Sequence, residues 1–204
     1  QNYLKAVSTI ALITFPLMLG LMGVSRPLVL GLFGSEWAPV QPLILILAPV
    51  GLIQSIGTTV GTIFQAKGRT DWMMRWGIVT AVLTAIAIVV GLRWGVIGVA
   101  LAYASISAIL AYPGFAIPFR LIDLRVQKLV GTLWRPFVCS ILMLGVILGL
   151  AVMLPDIFTE SWRMIILVPS GIAAYLAASW MLNGEQMRRT MALVRPHWSV
   201  SQKA

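Results

Sequence analysis

The sequence predicts an all-α protein, an integral membrane bundle of about six transmembrane helices. Of its 204 residues, 59% are hydrophobic and 10% charged, and the mean hydropathy is +0.94, which leaves too little charge to cover a soluble domain. The apolar residues gather into runs of about 20, each long enough as a helix to cross roughly 30 Å of hydrocarbon. The cations fall in the short connections between those runs.

The first span extends from Ala6 to Ser25, is interrupted by Pro16, and continues past Arg26 and Pro27 into the apolar stretch Leu28 to Phe33. Gly34 to Ala38 turn the chain into a second span, Pro42 to Gln65, and the polar turn Ala66 to Arg75 leads to a third, Trp76 to Leu92. Arg93, Trp94 and Gly95 form so short a link that the fourth span, Val96 to Phe119, is expected to lie antiparallel against the third. A fifth span, Phe137 to Leu154, and a sixth, Met164 to Leu182, are joined by a loop holding Pro155, Asp156, Glu160 and Arg163. We expect a six-helix transmembrane lobe over residues 1–182 and a basic cytoplasmic tail over 183–204.

The net charge is +9, from 15 Lys and Arg against 6 Asp and Glu. A nucleic-acid partner would need those cations in one soluble patch, and their scatter between apolar runs excludes it. Summed over alternate sides, Lys5, Lys67, Arg69, Arg75, Arg120, Arg125, Lys128, Arg135, Arg188, Arg189, Arg195 and Lys203 face Arg26, Arg93 and Arg163, twelve against three. Cytoplasmic connections carry the excess of cations, so both termini are expected to be cytoplasmic. In the connection before the fifth span, Ile122, Val126, Leu129, Val130 and Leu133 recur at helical spacing, as in a helix lying on the headgroup layer; such a segment would anchor topology or meet acidic lipid and pyrophosphate.

Nothing in the pattern points to covalent chemistry. His197 is the lone histidine, the acids are scattered, and Cys139 is the lone cysteine, so no catalytic triad, carboxylate pair, disulfide or metal site can be assembled from this chain; Cys139 reads as a small buried hydrophobe. No phosphate-binding GxxxxGK[ST] loop occurs. We expect no enzyme, no catalytic or metal-binding residue and no cofactor.

The second span carries the candidate site. Gln54, Thr58, Thr62 and Gln65 recur near the helical repeat as a polar stripe, with Gly57 and Gly61 beside it. Such a stripe can line a cavity and hydrogen-bond a substrate, or it can serve helix packing, since Gly and Thr let helices approach. Gly98, Ala102, Ser105 and Ala108 in the fourth span read as packing alone. Arg26 is a further cavity candidate: at about 1.5 Å per residue from Ala6 it reaches the far boundary, where it can snorkel. If the helix continues to Phe33 it should face water, because exposure to lipid costs at least about 2.5 kcal/mol.

From Phe15 to Asp71 the chain resembles the polysaccharide-transporter branch of the multidrug, oligosaccharidyl-lipid and polysaccharide exporter superfamily. The stretches FPLMLGLMGVSRPLVLGLFGSEW and LILILAPVGLIQSIGTTVGTIFQAKGRTD carry the likeness, and the Arg93-Trp94-Gly95 turn and the LWRP before the fifth span extend it more weakly. The resemblance implies one lobe, the C-terminal one, of a two-lobe transporter. It implies the task of moving an undecaprenyl-pyrophosphate-linked oligosaccharide across the bacterial inner membrane by alternating access, for surface polysaccharide such as lipopolysaccharide or exopolysaccharide. The implied partners are that lipid-linked substrate, membrane lipids and a missing N-terminal lobe, and the opening residue Gln1 fits a longer gene product. Two other readings stand beside it. A drug exporter of the same superfamily should show acids or an aromatic cage, and a membrane glycan polymerase or ligase should show a sizeable outer loop; a purely structural subunit is a third.

Overall fold

The computed structural model describes residues 2–122, 124, 126–154 and 159–194, the side chains of Asn2 and of 182–194 excepted. They form α1 (Asn2–Gly23), α2 (Ser25–Leu32), α3 (Gln41–Gly57), α4 (Val60–Ala66), α5 (Thr70–Gly91), α6 (Gly95–Arg120), α7 (Val126–Met153) and α8 (Glu160–Val194), with short 3-10 turns over Ser35–Val40 and Leu92–Trp94. No strand occurs among the described residues, as the all-α membrane bundle requires. Five helical stretches are long and apolar enough to cross a membrane: Tyr3–Gly23, Ser35–Ala66, Thr70–Arg120, Val126–Met153 and Glu160–Met181. The third holds two helices, α5 and α6, so the described residues hold six apolar segments long enough to cross.

Those two helices, α5 and α6, form the expected hairpin. Gly91 and Gly98 lie against each other beside the turn, where a Cβ on Gly98 would stand 2.5 Å from the Gly91 carbonyl oxygen, and at the far end Trp76 lies over Gly114. At the Gly91–Gly98 contact only residues without a side chain allow that approach. Gly98 and Ala102 do pack here, whereas Ser105 and Ala108 are exposed.

The passes are arranged as a row in which α6 packs on α5 and α3, α3 on α1, α1 on α7, and α7 on α8. One apolar cluster joins Val7, Phe15, Ile56, Ile63, Phe119 and Leu129. The other joins Leu12, Leu19, Val24, Met143, Ile147 and Leu167. The first lies where Lys5, Lys67, Arg69, Arg120 and Lys128 end or begin their helices; Tyr3 there meets Phe119 edge to face at 5.8 Å and bonds Thr59 at 2.9 Å. We call this the basic end. Arg26, Arg93 and Arg163 lie toward the opposite end, with the exposed tryptophans Trp37, Trp94 and Trp162, an amphipathic residue that suits a membrane boundary.

Pro16 does not interrupt the first span. Proline lacks the N–H that would serve the carbonyl four residues back, and the Tyr175 hydroxyl donates to that carbonyl, Leu12 O, at 2.7 Å instead. The break falls at Val24, where Pro27 leaves the Gly23 carbonyl without its usual donor. The second span, expected as one helix, is divided between α3 and α4. At the division the Thr58 and Thr59 hydroxyls bond back to Ser55 O at 3.0 Å and Ile56 O at 2.7 Å, a local competition with the helix.

The connection before the fifth span is not a separate helix on the headgroups. From Val126 it is the start of α7, and its apolar face, Val126, Leu129 and Leu133, packs with Ile122 against the cluster around Phe15 and Phe119. Those residues are covered by protein, which accounts for their spacing, whereas Val130, expected with them, is exposed. Likewise α8 runs past Leu182 to Val194, so the expected tail begins as helix; residues 195–204 lie outside the described residues.

Candidate functional site

The polar side chains of α3 are sorted by direction. Ser55 faces α1, accepting from Thr14 Oγ1 at 3.2 Å and donating to Leu52 O at 2.8 Å. Gln54, one residue earlier, faces α6, where its side-chain amide donates to the Tyr103 hydroxyl. Thr58 and Thr62 are exposed and donate to their own backbone, to Ser55 O and Thr59 O; Gln65 is exposed. Leu52, Ile56 and Ile63, on the opposite face, enter the core between α1 and α7.

Gln54 and Tyr103 stand at the head of an open groove of about 400 Å³ between α3–α4, α5 and α6. Trp76, Thr80, Thr84 and Ser107 add further polar or aromatic groups to its walls, and no Asp, Glu, Lys or Arg lines it. Counted along α5 at about 1.5 Å per residue, Trp76 lies about 9 Å and Thr84 about 21 Å from the basic end. The groove therefore reaches from near the basic end to mid-span, where an amide or hydroxyl facing hydrocarbon alone would be costly.

The glycines beside the stripe differ from those at packing contacts. At packing contacts a Cβ would collide, as at Gly91 and Gly98; at Gly57 and Gly77 no neighbouring group lies within 4 Å of the Cβ position, and at Gly61 only the flexible Met73 Cε does, at 3.4 Å. Gly57 and Gly61 thus face open space and seat no other helix among the described residues. Gly114 lines the groove as well, and its carbonyl lacks its usual donor because Pro118 has no N–H.

Of the residues expected at the site, Gln54 reaches the groove. Thr58, Thr62 and Gln65 lie beside it at the surface. Arg26 is not near it: its side chain is 64% exposed and its Nε lies 3.4 Å from Glu160 Oε1, toward the end opposite the basic one. The sequence analysis placed no candidate on the third span and so passed over Trp76, Thr80 and Thr84. Their spacing of four was the available signal, as was that of Tyr103, Ser107 and Ala111 on α6.

Fold and groove define a class, a polytopic all-α membrane protein with hydrogen-bonding groups sheltered between its spans. Residues 1–42 match the family described as "Polysaccharide biosynthesis protein". The chain is 33% identical over 157 residues to the lipopolysaccharide biosynthesis protein WzxC of Escherichia coli (strain K12), covering 75% of this chain and 32% of that protein. It is 26% identical over 178 residues to the teichuronic acid biosynthesis protein TuaB of Bacillus subtilis (strain 168), covering 86% and 37%. It is 25% identical over 115 residues to an uncharacterized membrane protein in the cps region of Klebsiella pneumoniae, covering 54% and 24%. These matches bear out the resemblance: the chain is a relative of the polysaccharide-biosynthesis membrane proteins, and it spans about a third of the length of the first two. No solved structure matches it significantly.

Proposed function

We propose that the chain is the C-terminal lobe of a transporter that carries an undecaprenyl-pyrophosphate-linked oligosaccharide across the bacterial inner membrane by alternating access, for surface polysaccharide export. The basic end is cytoplasmic in this reading, a missing N-terminal lobe completes the central cavity, and no bond is made or broken. The names of the two relatives, concerned with lipopolysaccharide and teichuronic acid, support a surface-glycan substrate.

The observation that carries the reading is the groove headed by Gln54 and Tyr103. Its walls offer uncharged hydrogen-bonding groups, which suit sugar hydroxyls. Acids that would attract a cationic drug are absent from those walls. An empty, wet groove would exchange water for glycan hydroxyls during transport, whereas hydrocarbon would leave amides unpaired at a cost of several kcal/mol.

Replacing Gln54 and Gln65 with Leu in the full-length protein should lower glycan export per molecule without lowering its level in the membrane. Loss of folded protein with normal activity per molecule would return the stripe to a packing role. Liposomes holding the full-length protein should translocate a labelled lipid-linked saccharide; failure there would remove the transport reading.

A further inference from the structure

We propose that the groove between α4, α5 and α6 is the docking site for the pyrophosphate-proximal sugar of the lipid-linked saccharide, with Trp76 stacked on the sugar and the cations at its mouth holding the pyrophosphate. This rests on the transport reading above and assigns its substrate contacts to residues of this chain.

The mouth is marked by charge. Phe64, Trp76 and Phe115 line the basic-end half of the groove, and each leads within one to five residues to a cation: Lys67 and Arg69 after Phe64, Arg75 before Trp76, and Arg120 after Phe115. All four cations are exposed. Asp71 and Asp123 are the acids near these cations in the sequence, and none of the four has an ion-pair partner among the described residues. Cations in excess of acids at headgroup depth, beside a groove whose walls carry no charge, form an anion site joined to a neutral polar one. A ligand that fits both parts has phosphate at one end and hydroxyls at the other.

The groove beyond the mouth is built for a ring. Trp76 is half-buried over Gly114, and an indole face, the negative side of its quadrupole, attracts the C–H face of a pyranose. Gly57 and Gly77 leave their Cβ positions open, so a ring can approach the backbone, and the Gly114 carbonyl released by Pro118 can accept from a hydroxyl. Thr84, Tyr103 and Ser107 lie deeper, where a second sugar would reach. The volume of about 400 Å³ is that of a small-molecule site, commonly about 300–1,000 Å³, and not of a polymer. Ile78, Val82, Ile86 and Val89 on α5 are exposed and apolar, a flank along which a polyprenyl tail can remain in lipid.

The test uses the full-length protein in phosphatidylcholine nanodiscs, with farnesyl-pyrophosphoryl-glucose and farnesyl-pyrophosphoryl-N-acetylglucosamine compared with farnesyl pyrophosphate. At least one sugar-bearing probe should bind about tenfold or more tightly than the bare pyrophosphate. Trp76→Leu and Gly77→Leu should each abolish that difference. The Gly77 variant adds its side chain to open space, so its thermal unfolding should match that of the parent. Arg75→Gln with Arg120→Gln should weaken all probes alike. Three results would overturn the proposal: equal affinity with and without sugar in the parent, full discrimination in a folded Gly77→Leu protein, or displacement of all probes by an equal mole fraction of phosphatidylglycerol, which would make the mouth a general acidic-lipid contact. A parent that translocates lipid-linked saccharide but gives any of these results keeps the transport reading and loses this site; a parent that does not translocate loses the reading itself.

Discussion

Arg26 Nε stands 3.4 Å from Glu160 Oε1 and so joins the outlying helix of the first span, α2, to the first turn of α8. Beneath the pair, Gly31 lies so close to α8 that a Cβ would come 3.1 Å from Ser161 N, and Ser161 Oγ donates to Gly31 O at 3.3 Å. The two contacts differ in weight. An ion pair whose arginine is 64% exposed contributes about 0–1 kcal/mol after screening, whereas a side chain at Gly31 would press on the backbone of Glu160 and Ser161, which would have to shift by a few tenths of an ångström. Glu160→Gln should therefore lower the unfolding temperature slightly and Gly31→Val clearly more. The reverse order in a thermal-unfolding series would show that the ion pair fastens α2.

Tyr175 and Pro16 should be energetically coupled. Removing the hydroxyl in Tyr175→Phe leaves the buried Leu12 carbonyl without the donor that proline denies it, a loss of about 1–3 kcal/mol. Pro16→Ala restores a backbone N–H at that carbonyl. In a double-mutant cycle the Tyr175→Phe cost should shrink in the Pro16→Ala background; an unchanged cost would mean that the hydroxyl does not compensate for the proline.

The α5–α6 hairpin should depend on its glycine pair. A side chain at Gly98 meets the Gly91 carbonyl and Trp94 Cβ, each at 2.5 Å, and overpacking commonly costs about 1–3 kcal/mol or more. Gly98→Leu should lower the yield of folded protein in detergent, while Gly77→Leu on the same hairpin should not. Equal losses would show that helix-wide properties, and not contact at the turn, govern the hairpin.

Orientation can be read with single cysteines in a Cys139→Ser background. Glu36→Cys, near Trp37 at the end opposite the basic one, should react with an impermeant thiol reagent on intact spheroplasts, and Arg69→Cys should react only after the membrane is opened. Labelling of Arg69→Cys alone would invert the protein. The parent carries one cysteine, Cys139, fully buried, and should stay unlabelled in both conditions until it is denatured.

The sequence by itself determined that the described residues form helices in six apolar segments and that most of their cations lie toward one end, because crossing hydrocarbon as a helix imposes run length and composition locally, residue by residue. The hairpin at Arg93 to Gly95 was legible for the same reason: a link so short permits one neighbour. Gln54 was legible as a polar group in an apolar run. Its partner was not, since Tyr103 lies 49 residues away and only the packing of α3 on α6 brings them together. The spacing of Gly57 and Gly61 fits packing and groove equally, and what stands opposite a glycine is a tertiary fact. The amphipathic start of α7 likewise has the same period whether lipid or the Phe15–Phe119 cluster covers it. Pro16 read as a break because backbone rules act locally, while the hydroxyl that offsets it comes from Tyr175, 163 residues from Leu12. Local chemistry thus set the elements and their direction; which face each presents, and to what, was decided by long-range packing, in which a few side-chain contacts outweigh the period of the chain.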